Sequence, residues 1–504
     1  MLSFGVLCLE CRQRIALTAN YCRHCGHARP GSHWRRDVRL PSRELSAETT
    51  VTRGQRRWFA LAAVVALLAV GRWPIEAITS AIALATALYI GVLVYRLLMF
   101  RDALRNPTMM RVSDADARAL SDNELPPYTV LVPAYREPEV IGQLLRAVDA
   151  IRYPKDRLDV RILLEADDLE TWRAAEAARP SSNVTLVRVP PVGPRTKPKA
   201  CNVGLAGARG QFVTIYDAED LPDPLQLRRV VAAFRRAPAN VACLQAQLSY
   251  HNADQNLLTR WFTAEYGLWF GQMLPSLVIR GAPLPLGGTS NHFRTDLLVA
   301  IGGWDPYNVT EDADLGIRLH RLGFRTQVLD SVTLEEGNSD FVNWIKQRSR
   351  WYKGYLQTWL VHMRHPRTLW RDLGPAGFVG FNLFVGGTPA VVLINPIFWT
   401  LTALWFIGRP DWILALFPGW LYYLGMASMV IGNAAVLYIS MVSARTSGRP
   451  SLVLAATLQP VYWAMMSVAA IKALAQLLSA PSFWEKTTHG LDQPVADSDD
   501  RAAA

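Results

Sequence analysis

Long apolar runs stand towards both ends of the 504-residue chain and leave a segment of mixed composition between them. The apolar runs are residues 58–71, 77–100, 374–407, 411–444 and 452–480. A helix that crosses a bilayer needs about 20 apolar residues, so the first run is short unless its flanking arginines reach to the interface. The pattern predicts a transmembrane hairpin over residues 57–100. It also predicts three or four spans, with interfacial helices, over residues 373–482.

Between these runs, residues 125–372 alternate between short apolar strands and amphipathic helices. The apolar stretches YTVLVPAY, VRILLEADD and GQFVTIYDAED end in polar loops, and helical stretches such as EVIGQLLRAVDAI separate them. This alternation is typical of an α/β domain with a mostly parallel sheet, in which ligands bind at the carboxyl ends of the strands. We therefore expect the strand ends PAYRE, EADD and DAED to converge at one edge of the sheet.

The remaining segments and the charge complete the predicted organisation. A cysteine module, two linkers and a C-terminal tail occupy residues 1–30, 31–56, 101–124 and 483–504. Lys and Arg outnumber Asp and Glu by 53 to 42, which gives a net charge of +11. Beside long apolar runs, this excess favours anionic lipid and a cytoplasmic orientation of the basic segments. No basic motif interleaved with aromatic residues accompanies the arginines, which argues against nucleic acid as a partner.

The cysteine module has the spacing of a metal site. Cys8 and Cys11 form one C-x-x-C pair, and Cys22 and Cys25 form a second pair after ten intervening residues. Two such pairs complete a tetrahedral Zn²⁺ site with no open coordination position, which predicts a small structural zinc ribbon. The alternative is a pair of disulfides, which a cytoplasmic location disfavours.

An acidic cluster stands at the end of a predicted strand. The stretch TIYDAEDLPDP contains Asp217, Glu219 and Asp220. Carboxylates on a strand-end loop suit a divalent cation that bridges a diphosphate. Because acidic loops are common, this motif alone is a weak signal.

Two further polar motifs follow it along the chain. TED at 310–312 stands at the start of a predicted helix, where a carboxylate can be held ionised and can take a proton. QRSRW at 347–351 places on one helix an arginine that can meet phosphate and a tryptophan that can stack on a sugar ring. The glycosylation sequon NVT overlaps TED, but a cytoplasmic loop would not use it.

In this order and between membrane segments, the three motifs resemble those of inverting family 2 glycosyltransferases. The resemblance is to membrane-embedded processive synthases such as cellulose, curdlan and hyaluronan synthases, and it covers about residues 125–372. It implies a nucleotide-sugar-binding domain of the GT-A type that adds sugars to a growing polysaccharide and exports it. It also implies Mg²⁺ or Mn²⁺, a nucleotide-diphosphate sugar (a UDP-sugar first of all), and a glycan or lipid acceptor.

The same resemblance assigns roles to individual residues. The residues that it places at the nucleotide sugar are Tyr135, Glu137, Asp167, Asp168, Lys197 and Asp217. Asp217 would also hold the metal with Glu219 or Asp220, and the choice stays open because the family more often has Asp where Glu219 stands. Asp312 would be the general base, with Glu311 beside it. The residues that it places at the acceptor and the leaving diphosphate are Gln347, Arg350 and Trp351.

Two more stretches take part in the resemblance. GGTSN at 287–291, a glycine-rich loop, would lie under the acceptor. FWEKTTHG at 483–490 is similar in position and type to the segment that closes over the donor in processive synthases. The alternative for this second stretch is an amphipathic anchor on the membrane surface.

Two other functions stay open on the sequence alone. One is the transfer of a single sugar to a lipid, and the other is an inactive zinc-ribbon membrane adaptor, against which the intact set of carboxylates argues. In each case we expect a multi-pass protein of the inner cell membrane with its α/β domain in the cytoplasm. Membrane lipids are then partners, and a protein is a candidate partner of the zinc ribbon.

Overall fold

The structure is a computed structural model that describes residues 5–7, 14–16, 43–105, 109–446 and 448–487. Strands β1 (Gly5–Leu7) and β2 (Arg14–Ala16) pair antiparallel. The four cysteines of the predicted zinc ribbon, at positions 8, 11, 22 and 25, lie outside the described residues, as do residues 488–504. The zinc ribbon therefore stays a prediction.

A central sheet organises the α/β domain. Its strands are β3 (Tyr128–Ala134), β4 (Leu158–Glu165), β5 (Val184–Val189), β6 (Phe212–Ile215), β7 (Leu221–Pro222), β8 (Val241–Tyr250), β9 (Asn291–Arg294) and β10 (Arg325–Glu335). They lie in the order β5-β4-β3-β6-β9-β8-β10-β7. The neighbours β5, β4, β3 and β6 pair in parallel, as do β8 and β10. β9 runs antiparallel to both of its neighbours, and β7 runs antiparallel to β10.

The sheet is thus mixed, whereas the sequence pattern predicted a mostly parallel one. β9 is reversed because the GGTSN loop that precedes it starts at the carboxyl edge of β6. There the Ser290 N–H donates to the carbonyl of Ile215 at 2.9 Å. From this edge the chain can only run back along the sheet. The α/β alternation does not reveal the reversal, since a loop and not a crossover helix leads into β9.

The α-helices cover the sheet and continue into the apolar segments. They are α1 (Arg53–Arg72), α2 (Pro74–Arg105), α3 (Asp114–Ala119), α4 (Ile141–Ala150), α5 (Leu169–Ala177), α6 (Lys197–Ala206), α7 (Gln226–Arg236), α8 (Leu257–Leu268), α9 (Leu274–Ile279), α10 (Thr295–Ala300), α11 (Glu311–Arg321), α12 (Phe341–His362), α13 (Pro366–Phe381), α14 (Gly387–Gly408), α15 (Asp411–Leu416), α16 (Gly419–Ala427), α17 (Asn433–Thr446), α18 (Leu452–Thr457) and α19 (Gln459–Ser479). Alternate residues of β3 face the two sides. Leu131 packs in one core with α6, while Val130 and Val132 pack in another with α4 and α7.

Five apolar helical segments of the described chain are long and apolar enough to cross a membrane. They are Ala47–Arg72, Pro74–Arg105, Pro366–Gly408, Gly419–Thr446 and Gln459–Ser479. The first two contain the predicted hairpin, and the other three fall in the predicted C-terminal group, where α15 and α18 are short helices between them. Within the third, Gly374 has a φ of +70° and separates the first turns of α13 from its apolar remainder.

Helix α12 joins the α/β domain to the apolar helices. Its Trp344 and Tyr352 are buried in one cluster with Phe262 of α8 and Tyr462 of α19. This packing fixes the QRSRW motif of α12 at the boundary between the sheet and the apolar helices.

Candidate active site

A cavity of about 360 Å³ opens at the carboxyl edge of the sheet. Strand ends, helix N-termini and one face of α12 meet there. The lining residues that the sequence predicted are Tyr135, Glu137, Lys197, Asp217, Glu219, Glu311, Asp312, Gln347, Arg350 and Trp351. Residues that are far apart in the chain thus share one site.

The first turn of α11 carries two carboxylates with different environments. Asp312 Oδ1 accepts a hydrogen bond from the Ala313 N–H at 2.7 Å. Burial raises the pKa of Asp312 to about 6. Burial, and then the neighbouring Asp312 charge, raise the pKa of Glu311 to about 8. Burial thus disfavours ionisation of both carboxyls, and the neighbouring Asp312 charge disfavours it further at Glu311, so Asp312 is the better candidate to take a proton.

The third acid of this helix has a separate, structural environment. Asp314 is fully buried and accepts hydrogen bonds from Arg318 Nε at 2.7 Å and from His362 Nε2 at 3.0 Å. Burial opposes its ionisation, but Arg318 and His362 hold the pKa of Asp314 below its usual value. Asp314 thus ties α11 to the end of α12 and does not line the cavity.

Lys197, the first residue of α6, connects two of the loops around the cavity. Its ammonium forms an ion pair with Asp217 and donates to the carbonyl of Gly288 at 2.8 Å. Burial opposes its charge, but the carboxylates of Asp217 and Glu311 raise the pKa of Lys197 well above its usual value. A Cβ atom on Gly288 would lie only 3.5 Å from Asp312 Oδ2. The GGTSN loop therefore passes directly beside the candidate base.

The acidic loop after β6 divides its carboxylates between the cavity and the interior. Asp217 and Glu219 line the cavity, whereas Asp220 is buried beneath the loop. Asp220 Oδ2 accepts the Asp217 N–H at 2.8 Å and the hydroxyl of Thr289. Burial, and then the charges of Asp217 and Glu219, raise the pKa of Asp220 well above its usual value. Its contacts fit a residue that shapes the loop.

Two cavity carboxylates fit Mg²⁺ or Mn²⁺, since such hard ions take oxygen ligands and Mg²⁺ is usually held by one or two carboxylates plus substrate phosphates. Among the described residues, no group of three or more His, Cys, Asp or Glu side chains is arranged to hold an ion. Asp217 and Glu219, both on the loop after β6, are a pair of cavity carboxylates that could hold such an ion.

One face of α12 forms the wall next to the apolar helices. The Trp351 ring stacks on Tyr266 of α8 with centroids 6.1 Å apart. The guanidinium of Arg348 lies 4.6 Å from the Trp351 ring and pairs with Glu265 at 2.5 Å. Glu265 and Tyr266 also line the cavity, and sequence reasoning missed both. The sequence feature that could have indicated these residues is Glu265, a single carboxylate within the aromatic stretch WFTAEYGLWF.

The end of the cavity near β3 and β4 differs in part from the sequence prediction. Tyr135 and Glu137 line it, whereas Asp167 and Asp168 do not. Asp167 pairs with Arg195 at 2.8 Å, and Asp168 is the N-cap of α5. Helix α5 begins directly after the EADD stretch, so Asp168 caps that helix, whereas Asp167 pairs with Arg195, a residue that itself lines the cavity. Earlier in the same stretch, Glu165, the last residue of β4, reaches the cavity instead.

The chain after α19 returns to the cavity and lines it with Trp484, Lys486 and Thr487. Trp484 stacks against Arg350, with 4.6 Å between the guanidinium carbon and the ring. Lys486 pairs with Glu137 at 3.2 Å and donates to the carbonyls of Tyr135 and Arg136.

Helix α12, which carries QRSRW, holds the chain that follows α19. Lys353 donates to the carbonyl of Phe483 at 2.6 Å, and Gln357 donates to that of Pro481 at 2.9 Å. Together with the Lys486 contacts, these bonds fasten the described part of the FWEKTTHG segment across the cavity.

The sequence of the α/β segment is similar to that of known proteins. Residues 126–354 match the family described as "Glycosyltransferase like family 2". Over 309 residues the chain is 28% identical to the probable glycosyltransferase YdaM of Bacillus subtilis, an alignment that covers 58% of this chain and 72% of that protein. The α/β segment is thus similar to family 2 glycosyltransferases.

Two further proteins are similar to this chain, one by sequence and one by structure. The chain is 31% identical over 247 residues to a beta-monoglucosyldiacylglycerol synthase of Synechocystis, covering 47% of this chain and 50% of that protein. It therefore spans about half the length of that relative. The solved mannosyltransferase PcManGT of Pyrobaculum calidifontis, in complex with GDP-Man and Mn²⁺, superposes with a TM-score of 0.52 at 20% identity and covers 77% of this chain and 99% of that one. This likeness shows a shared GT-A-like fold.

Proposed function

We propose that the protein is a membrane-bound inverting glycosyltransferase that moves a sugar from a nucleotide-diphosphate sugar to a glycan or lipid acceptor. The observation that carries the proposal is the meeting of Asp312, Lys197 and Asp217 at one buried cavity. A proton acceptor, a fixed cation and a carboxylate for a metal are the groups that this displacement needs.

In the proposed reaction, Asp312 takes the proton of the acceptor hydroxyl as its oxygen bonds to the anomeric carbon. The bond between that carbon and the diphosphate oxygen breaks on the opposite face, so the configuration inverts without a covalent enzyme intermediate. Lys197 and Arg350 stand where they can balance the charge of the departing diphosphate. When bound by Asp217 and Glu219, Mg²⁺ or Mn²⁺ would neutralise more of that charge.

The remaining cavity residues divide between donor and acceptor. Tyr135, Glu137 and Glu165 lie at the end towards β3 and β4, where we place the nucleotide. Gln347 and Trp351 lie on the α12 wall beside the apolar helices, where we place the acceptor. An aromatic face such as that of Trp351 binds the apolar side of a sugar ring.

A growing polysaccharide, exported through the membrane, is the acceptor that the QRSRW motif favours. A lipid acceptor is the second candidate, because Thr388 of α14 also lines the cavity and α14 belongs to an apolar span. A relative that is named as a glucosyldiacylglycerol synthase supports this second candidate. In either case we propose an inner-membrane protein with the α/β domain in the cytoplasm.

Product size separates the two acceptors. Membranes that contain the full chain would be incubated with radiolabelled UDP-glucose, UDP-N-acetylglucosamine or GDP-mannose. Label in a high-molecular-weight, solvent-insoluble product supports the polymer, and label in a single-sugar lipid that extracts into organic solvent supports the lipid. Label in neither fraction would contradict sugar transfer.

The rate should depend on pH through Asp312. Because a protonated carboxyl cannot accept the hydroxyl proton, kcat is expected to rise with pH through about 6 and to level off near neutrality. Nucleoside diphosphate release between about pH 5 and pH 8 measures this profile. A kcat that stays constant down to about pH 5 would show that a group other than Asp312 takes the proton.

The tail is expected to contribute to donor binding. Lys486→Ala removes the ion pair with Glu137 and the hydrogen bonds to the carbonyls of Tyr135 and Arg136. KM for the nucleotide sugar should therefore rise about tenfold, with kcat nearly unchanged. Lys155→Ala, which removes an exposed ion pair with Asp149 away from the cavity, is the matched control. A wild-type KM in Lys486→Ala would instead favour a membrane-anchoring role for the segment.

A further inference from the structure

The chain just before α1 is built into the α/β domain. We call residues 43–52 the N-terminal strap; it links residues 1–42 to the first apolar helix. Ser46 Oγ donates to Asp305 Oδ1 at 2.9 Å, and the Ala47 N–H donates to Asp305 Oδ2 at 2.6 Å. Asp305 and Ala47 are both fully buried. The buried carboxylate of Asp305 therefore accepts two hydrogen bonds from the strap.

Arg364, between α12 and α13, holds the strap from its other side. Its guanidinium donates to the carbonyls of Arg43 at 3.1 Å, Glu44 at 2.6 Å and Ser46 at 2.9 Å, and also to that of Thr49. One arginine side chain thus donates hydrogen bonds to four backbone carbonyls of the strap. A segment that only connected two domains would not need such contacts.

The same Asp305 begins the loop that leads to the candidate base. The Asp305 carboxylate accepts the Tyr307 N–H at 3.2 Å, and the Asp305 carbonyl accepts the Asn308 N–H at 3.3 Å. Asn308 Oδ1 in turn accepts the N–H of Thr310, the residue immediately before α11, at 3.0 Å. A continuous series of hydrogen bonds therefore runs from Ser46 to the turn that carries Asp312.

Two residues from other parts of the site, Thr196 and Gln357, hold the opposite side of this loop. Thr196, which precedes Lys197, donates to the carbonyl of Pro306 at 2.8 Å. The Val309 N–H donates to Gln357, the residue that also binds the tail. Asn308 Nδ2 also donates to Thr358 Oγ1 at 3.0 Å, so the strap is one of several supports of the loop and the one that binds the Asp305 carboxylate.

We propose that Ser46 is a positioning residue, which acts through Asp305 to hold Asp312 in line with the acceptor hydroxyl. This inference rests on the proposed function. Ser46 lies 266 positions before Asp312 in the chain and does not line the cavity. Its effect is therefore on the rate of the chemical step and not on donor binding.

Kinetics of the full chain in native membranes test this role. Ser46→Ala is expected to lower kcat about tenfold, because small displacements of a catalytic group are costly, while KM for the nucleotide sugar stays at the wild-type value. Ser46→Thr keeps the hydroxyl and should restore most of the rate. Ser113→Ala, which removes an exposed capping serine of α3, is the matched control and should leave kcat unchanged.

A second variant keeps the test decisive if Ser46→Ala does not accumulate. Arg364→Gln removes most of the strap's backbone contacts and should also lower kcat selectively, with the exposed Arg367→Gln as its control. Wild-type kcat in Ser46→Ala or Arg364→Gln, or a parallel change in KM, would overturn the role of the strap while leaving sugar transfer intact. No turnover of UDP-glucose, UDP-N-acetylglucosamine or GDP-mannose by the wild type would overturn both proposals.

Discussion

Asp312→Asn is expected to lower the rate of sugar transfer about 10³-fold, within the range that general-base catalysis contributes. The substitution preserves the size of the side chain and an oxygen that can accept the Ala313 N–H. It removes the negative charge and with it the capacity to take a proton. KM for the nucleotide sugar should change little, because the donor end of the cavity is formed by other residues. Steady-state release of nucleoside diphosphate measures both parameters.

The neighbouring acid provides an internal comparison. Because burial and the Asp312 charge raise the pKa of Glu311 and so disfavour its charged form, Glu311→Gln should cost less than about tenfold. Asp116→Asn, in the first turn of the exposed helix α3, is the matched control and should have no effect. If Asp312→Asn keeps more than about a tenth of the wild-type rate, another group is the base.

Lys197→Ala is expected to lower kcat about 10²-fold, the loss seen when one preorganised donor to a developing charge is removed. Lys197 is the buried cation that pairs with Asp217 and lies close to the candidate base. Without it, the leaving diphosphate loses a fixed positive charge. Added Mg²⁺ or Mn²⁺ is not expected to restore the rate, since the lysine also holds the Gly288 carbonyl.

Lys199 is the matched control for this variant. It lies two residues further along α6 and pairs with Glu165 at 3.2 Å, but it does not line the cavity. Lys199→Ala should therefore reduce kcat by less than about threefold, and any effect of unpairing Glu165 at the nucleotide end should fall on KM. Equal losses in the two variants would mean that α6 has been destabilised, and that the charge of Lys197 has no special role.

The convergence of acidic strand ends followed from the sequence because the carboxyl ends of parallel strands share one edge. The Asp217 loop after β6 and the Glu137 turn after β3 both line the cavity as expected. In the EADD stretch, Glu165 lines the cavity but Asp167 and Asp168 do not, and their role at the nucleotide stays a prediction. Pattern alone does not show that a helix starts directly after β4, and this start assigns Asp168 to a cap and leaves Glu165 in the cavity.

Contacts between distant segments were beyond sequence reasoning. Nothing in a basic linker indicates that Ser46 would bond Asp305, because hydrogen bonds to buried carboxylates carry no periodic signal. The reversal of β9 was hidden for a related reason, since strand direction depends on where the preceding loop begins. Glu265 was missed because an aromatic helical stretch predicts a buried packing surface, and the sequence does not show which elements lie beside it.

The release of nucleoside diphosphate by the purified full chain in lipid nanodiscs is the most direct measurement of the proposed chemistry. UDP-glucose, UDP-N-acetylglucosamine and GDP-mannose would each be supplied with Mg²⁺ or Mn²⁺ and a membrane lipid extract as acceptor. We predict that the wild type releases nucleoside diphosphate from at least one donor and that Asp312→Asn falls to background with the same donor. Equal release by the wild type and Asp312→Asn, or no release from any donor, would contradict the assignment of Asp312 as the base of a glycosyltransferase.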